Sequence, residues 1–235
     1  MIDTPLSSAP YKGLVPYAEE DAAFFFGRDA EREIITANLI SSRFTLLYGP
    51  SGVGKSSVLR AGVEHHLRER ARQNLARRGV PGFAVVVFGA WRDDPIAGLT
   101  ARIADSVVQV GVSPKPIGAT FTDSLRVFAD AVDGDLLIIL DQFEEYFLYH
   151  GPEDGDGTFA VEFPRAVREA SLRANFLVSI REDALAKLDR FEGRIPKLFD
   201  NFIRIEHLSR DAARDAIVKP IAQYNRVNGS DARCE

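Results

Sequence analysis

Apolar residues recur along this chain with two different periods. Mainly apolar, short runs occur at Phe44–Tyr48, Phe83–Phe88, Leu136–Leu140, Asn175–Ile180 and Asn201–Ile205. Runs of this length, bounded by turn residues and rich in β-branched and aromatic side chains, predict buried strands. Between them the apolar positions return at helical spacing. Ile34, Ile35, Leu39 and Ile40 form such a stripe after Gly27, and Ile96, Leu99, Ile103 and Val107 form another after Asp94-Pro95. Further helices are predicted from Ser56 to about residue 76, over about 121–132, and from the 151–157 loop to about 173, with Pro164 early in it. The last is capped by Ser209 and runs through Ala216 and Val218 toward Pro220. Residues 1 to about 20 read as an extended lead-in, and 111–120, with two prolines and two glycines, as a loop. Strands alternating with helices predict an α/β fold with a parallel sheet. Near-continuously apolar strands fit a sheet covered on both faces.

One junction in this pattern carries chemistry. Gly49-Pro50-Ser51-Gly52-Val53-Gly54-Lys55-Ser56-Ser57 follows the first strand and opens a helix. It fits the phosphate-binding pattern G-x-x-x-x-G-K-[ST], the Walker A motif, in the strand-to-helix setting the pattern requires. Glycines there let successive backbone N–H groups point at a polyphosphate. Lys55 is expected to reach the β- and γ-phosphates, and the Ser56 hydroxyl to ligate Mg²⁺. Such a loop needs an acidic partner for the metal at the end of an apolar strand. Leu136-Leu137-Ile138-Ile139-Leu140-Asp141 supplies it, so Asp141 is the Walker B candidate. Glu144 and Glu145 follow at spacings that bring a carboxylate back toward Asp141 if the chain turns helical. One of them is expected to position the attacking water, with Glu145 preferred over Glu144. Arg181, directly after the fourth strand, is a candidate sensor of the γ-phosphate, unless it pairs with Glu182 or Asp183.

Composition narrows the setting. The 235 residues are 46% hydrophobic and 27% charged, with a formal net charge of -5, which gives no general attraction to nucleic acid or anionic membranes. The single cysteine, Cys234, excludes an internal disulfide, and no apolar run is long enough to cross a bilayer. A cytoplasmic protein is expected. The basic stretch Arg68–Arg78 reads as a solvated helix face, and His65 and His66 lack the partners of a zinc site. Trp91 is expected to pack rather than bind, and for Arg92 an approach to a phosphate or a neighbouring subunit is the less favoured reading.

One strand lies between the phosphate-loop strand and the Asp141 strand. That count is the arrangement of AAA+-like proteins, and by analogy the sheet order is 5-1-4-3-2, a three-layer sandwich. The upstream segments Pro10-Tyr11-Lys12-Gly13-Leu14 and Asp21–Asp29, with Phe24-Phe25-Phe26-Gly27-Arg28, resemble those of bacterial STAND NTPases, closest to the novel STAND clade. So do the phosphate loop, Leu140-Asp141-Gln142-Phe143-Glu144-Glu145-Tyr146-Phe147, Arg181-Glu182-Asp183, and Ala216-Ile217-Val218-Lys219-Pro220. The resemblance implies that Phe26, Gly27 and Arg28 hold adenine and ribose, and that ATP or ADP is bound rather than GTP. The acidic segment is similar to the Asp-x-x-Asp/Glu-Glu form of NACHT-type relatives. It departs from AAA+ proteins in carrying Gln142 where a second acid would follow Asp141.

The resemblance further implies a slowly hydrolysing switch in which ADP/ATP exchange controls self-association. Sensor and effector domains find no room in this chain. The domain division expected is a lead-in at 1–26, the NTPase domain at 27–208, and the start of a truncated helical lid at 209–235. Two rival functions are a high-turnover ring ATPase of AAA+ type and a scaffold that nucleotide merely stabilises.

Overall fold

The computed structural model describes residues 10–113, 117–229 and 232. The expected fold is present: strands β1 (Phe44–Gly49), β2 (Phe83–Phe88), β3 (Asp135–Leu140), β4 (Ala174–Arg181) and β5 (Phe202–Arg204) form a sheet of order β2-β3-β4-β1-β5. Every pairing is parallel. Side chains alternate across it, as the pleat requires. Val85, Val87, Leu137, Ile139, Leu47 and Leu177 face a core completed by helix α1 (Asp29–Ser41) and the helix that follows the phosphate loop. Ala84, Val86, Phe88, Ile138, Leu140 and Val178 face the opposite core, under α4 (Pro95–Gln109), α5 (Phe121–Val132) and α7 (Phe159–Arg168). Apolar residues on both faces of one strand are what produced the unbroken runs in the sequence.

The helix after the phosphate loop is continuous but not uniform. It starts as α2 (Lys55–Ser57), widens into a π-helical stretch (Val58–Glu64), and continues as α3 (His65–Arg78). Local chemistry sets several boundaries. Asp94 Oδ1 accepts from the amides of Ile96 (2.9 Å) and Ala97 (3.2 Å), with Pro95 in the first turn of α4. Ser209 Oγ accepts from the Ala212 amide (3.2 Å) and caps α8 (Arg210–Asn228). That helix runs on through Pro220 rather than stopping there. The proline ring deprives the Ala216 carbonyl of its usual donor, and beside it the Tyr11 hydroxyl donates to the Ile217 carbonyl.

Other boundaries differ from expectation. α7 ends at Arg168 rather than near 173, and Glu169 instead accepts from the Ser171 amide (3.2 Å), a local bond that competes with helix. Within the lead-in, Glu19–Phe24 form a 3-10 helix. There Asp21 Oδ2 accepts from the Ala18 amide (2.8 Å) while the Asp21 amide donates back to the Ala18 carbonyl (3.1 Å). The expected loop at 111–120 is irregular where described, and its Pro114 and Pro116 lie outside the described residues. So do the first residues of the lead-in, 1–9, and most of the residues after Gly229, including Cys234.

Candidate active site

The parallel register brings the ends of β1, β3 and β4 to one edge of the sheet. Gly49 is level with Arg181, and Leu140 with Val178, so Asp141 and Ser179 come side by side. The phosphate loop leaves β1 there. Gly54, at φ +92°, turns the chain in the left-handed region that favours glycine, immediately before Lys55 opens the helix. Lys55 Nζ donates to the carbonyls of Gly49 and Pro50, each at 2.9 Å. Burial pulls its ammonium down from the usual lysine range, against the pull of the Glu144 and Asp141 carboxylates.

Asp141 is 1% exposed. Its Oδ1 accepts from the Ser179 hydroxyl (3.1 Å), its main-chain carbonyl accepts from the Trp91 indole (2.7 Å), and its Oδ2 has no hydrogen-bond partner. A buried carboxylate oxygen without a partner is costly unless something completes it. Asp141 is part of the wall of a cavity of about 370 Å³ that Ser56, Lys55 and Gln142 also line. The donor set suits Mg²⁺, which takes one or two protein oxygens and fills its other positions with phosphate and water. Among the described residues no group of three or more His, Cys, Asp or Glu side chains gathers around a point.

Gln142, at φ +53°, turns the chain so that Phe143–Glu145 form a 3-10 turn leading into α6 (Tyr146–Tyr149). The turn places the two glutamates differently: Glu144, rather than the preferred candidate Glu145, comes to the cavity. Glu144 lines the cavity, and its Oε2 accepts from the Arg181 amide (3.2 Å). Glu145 is half-buried and is not part of the cavity wall. Desolvation pushes the Glu144 carboxyl above the ordinary glutamate value, against its backbone hydrogen bonds and Lys55. Arg181 also lines the cavity, but Asp183 grips its guanidinium, from Nε (3.0 Å) and Nη2 (2.5 Å).

A second cleft, of about 580 Å³, adjoins the first across Tyr17, Gly52, Gly54 and Ser57. Phe24, Phe25, Phe26 and Arg28 line it with His207, Leu208 and Ala216, and Phe24 is buried. The Tyr17 amide donates to Ser57 Oγ (3.2 Å), which ties the lead-in to the phosphate loop. Gly27 takes φ +85°, and a Cβ on it would stand 2.3 Å from the Ala212 carbonyl, so α8 can approach only because residue 27 has no side chain. Arg28, expected at the base and ribose, is 6% exposed, with its guanidinium already engaged. Nη2 donates to the carbonyls of Val53 (2.7 Å) and Glu206 (2.9 Å), and Nη1 to Glu31 Oε1 (2.6 Å). It braces the phosphate loop against the segment before α8.

Other expectations resolve simply. Trp91 packs edge-on against Phe88, Phe143, Tyr146 and Phe159. Arg92 lies over the Tyr149 ring, 5.5 Å from its centre. Arg68 is not on a solvated face: it is buried and pairs with Glu64 (2.6 Å) and Glu19. Among the described residues no helix is long and apolar enough to cross a membrane. The sequence signals passed over Ser179, the one hydroxyl in an otherwise apolar stretch of β4, and Arg60, which has no motif to mark it.

Sheet order, phosphate loop and strand-end aspartate together are those of a P-loop NTPase. Comparison with known proteins agrees and narrows it. The chain belongs to the novel STAND NTPase 1 family, whose model matches residues 10–229. No curated protein matches the chain significantly. Among solved structures it is similar to the Walker-type ATPase paby2304 of Pyrococcus abyssi, with TM-score 0.55 and 19% identity over 94% of this chain and 63% of that one. It is also similar to the ORC1 protein of Aeropyrum pernix in complex with DNA, with TM-score 0.54 and 19% identity over 85% and 50%. The ADP form of the ORC2 protein of Aeropyrum pernix gives TM-score 0.51 and 19% identity over 85% and 51%. The chain thus spans about half to two thirds of the length of these structures, and at this identity the likeness concerns the fold.

Proposed function

We propose that this chain is the Mg²⁺-dependent ATP-binding module of a STAND-type switch, hydrolysing ATP slowly. The observation that carries this is the buried Asp141 carboxylate, which lines the cavity that Lys55 and Ser56 share and whose Oδ2 has no hydrogen-bond partner. The phosphate-loop residues Gly49 to Ser57 hold the phosphates, with Lys55 on the β- and γ-phosphates. Ser56 and Asp141 hold the metal, which when bound neutralises phosphate charge. Phe26 and Gly27 flank the base, and Arg28 serves the same cleft from behind as a brace. Glu144 takes a proton from the attacking water as its oxygen bonds to the γ-phosphorus. The bond from that phosphorus to the β–γ bridging oxygen breaks, and ADP leaves with the electron pair. Arg181, once released from Asp183, adds positive charge at the γ-phosphate.

Slow turnover is supported by two features: Arg181 is spent on Asp183, and Gln142 stands where a second acid would follow Asp141. A protein whose nucleotide state persists in this way is suited to signalling, with self-association in the ATP state, in the ATP-rich cytoplasm. Calorimetry of ADP and ATP binding with Mg²⁺, beside steady-state phosphate release, tests the proposal. Binding in the micromolar range that Lys55→Ala abolishes, with turnover well below ~1 s⁻¹, is expected. Fast turnover that rises with protein concentration would mark a ring ATPase instead, and binding without any phosphate release a scaffold.

A further inference from the structure

The Arg60 guanidinium stands beside Asp141, and nothing in the reaction outlined above uses it. Arg60 lies five positions beyond Lys55, on the π-helical stretch of the same helix. Its Nη2 is 3.6 Å from Asp141 Oδ2, too long for a hydrogen bond but close enough for strong electrostatic attraction. Its Nε is buried and has no hydrogen-bond partner, so the head group is weakly held there. The side chain is 36% exposed and also borders an open cleft of about 620 Å³, beside Glu64 and Arg102. It therefore has space to withdraw. The oxygen it faces, Oδ2, is the same one left without a hydrogen bond for a metal.

We propose that Arg60 is a positioning residue that competes with the divalent cation at Asp141 and so sets the metal concentration at which the site loads. The inference rests on the assignment of Asp141 to the metal. Without metal, the guanidinium balances a buried carboxylate whose charge would otherwise be costly. As metal arrives, the same positive charge opposes it, and the arginine swings toward the neighbouring cleft. Solvent screens a partly exposed arginine, so the effect is of moderate size.

The test is Mn²⁺ binding to the full chain in the presence of ADP, with free Mn²⁺ counted by its electron paramagnetic resonance signal. Arg60→Gln is expected to tighten Mn²⁺ binding by roughly three- to tenfold. Arg60→Met is expected to do the same, and Arg60→Lys, which keeps the charge, to stay within about twofold of wild type. A purely structural arginine would give the opposite sign, since loosening the site weakens binding. Unchanged or weaker binding in both neutral variants, with Asp141→Asn impaired, would overturn the role of Arg60 alone. Unchanged binding in Asp141→Asn would overturn the metal assignment, and the competition with it.

Discussion

At the scale of single residues, the two adjacent glutamates show how much one backbone angle decides. Glu144 and Glu145 are equivalent in charge and differ by one position, yet the left-handed turn at Gln142 aims Glu144 into the phosphate cavity. Glu144→Gln is expected to slow phosphate release by about 10²-fold or more, and Glu145→Gln to change it by less than about threefold. The acid limb of the wild-type rate should lie above the ordinary glutamate value of 4.5, because desolvation raises the Glu144 carboxyl. The same shift has a sign for stability. A raised carboxyl favours the folded state below the ordinary carboxylate range, and that contribution is lost as pH rises through the raised value. Glu144→Gln should therefore stabilise the nucleotide-free protein at neutral pH while it impairs hydrolysis, and thermal unfolding at pH 5 and pH 8 measures whether the gain is confined to the higher pH. Spacing alone left both glutamates open, because a turn of unknown geometry lay between them and Asp141.

At the scale of elements, the contact between α8 and the turn just before α1 depends on a missing side chain. Gly27 combines φ +85° with a would-be Cβ 2.3 Å from the Ala212 carbonyl, which is main chain and cannot move without the helix. Gly27→Ala is expected to cost about 2–4 kcal/mol in denaturant unfolding and to weaken nucleotide binding by displacing α8 from the second cleft. Ser209→Ala, which removes only the cap of the same helix, should cost about 1 kcal/mol. If the two variants were equally stable, the close approach at Gly27 would not matter as described. Helix and strand periods located most of these elements. The 3-10 turn at Glu19–Phe24 was not legible, since it depends on one reciprocal bond between Asp21 and Ala18 rather than on any period.

At the scale of the whole molecule, the nucleotide site is wired into the larger core. Trp91, the sole tryptophan, donates to the Asp141 carbonyl from within a cluster that includes Phe143, Tyr146 and Phe159. Its fluorescence should therefore report both unfolding and nucleotide binding. Mg–ATP at about 100 times its Kd is expected to stabilise the wild type by about 2.7 kcal/mol, and Lys55→Ala by nothing measurable. Trp91→Phe keeps most of the packing but leaves that carbonyl without its donor, and should cost about 1–3 kcal/mol. Coincident transitions by fluorescence and circular dichroism would show that site and core unfold together.

Residue order alone was enough for the sheet and the family, and for the places of the phosphate-loop motif after β1 and of Asp141 at the end of β3. Those features rest on local patterns: apolar runs where both faces are covered, glycines where the chain must turn tightly, an acid at a strand end. Contacts between residues far apart in the chain were decided only on folding. Arg28 was expected from resemblance to hold the base and ribose, and on folding its guanidinium donates to the carbonyls of Val53 and Glu206, the latter 178 positions away. Ser179 and Arg60 reach Asp141 from two other elements, brought there by parallel register and by the rise of the phosphate-loop helix. A charged or hydroxyl side chain takes its role from whichever partners packing places within a few ångströms, and linear spacing does not encode that distance.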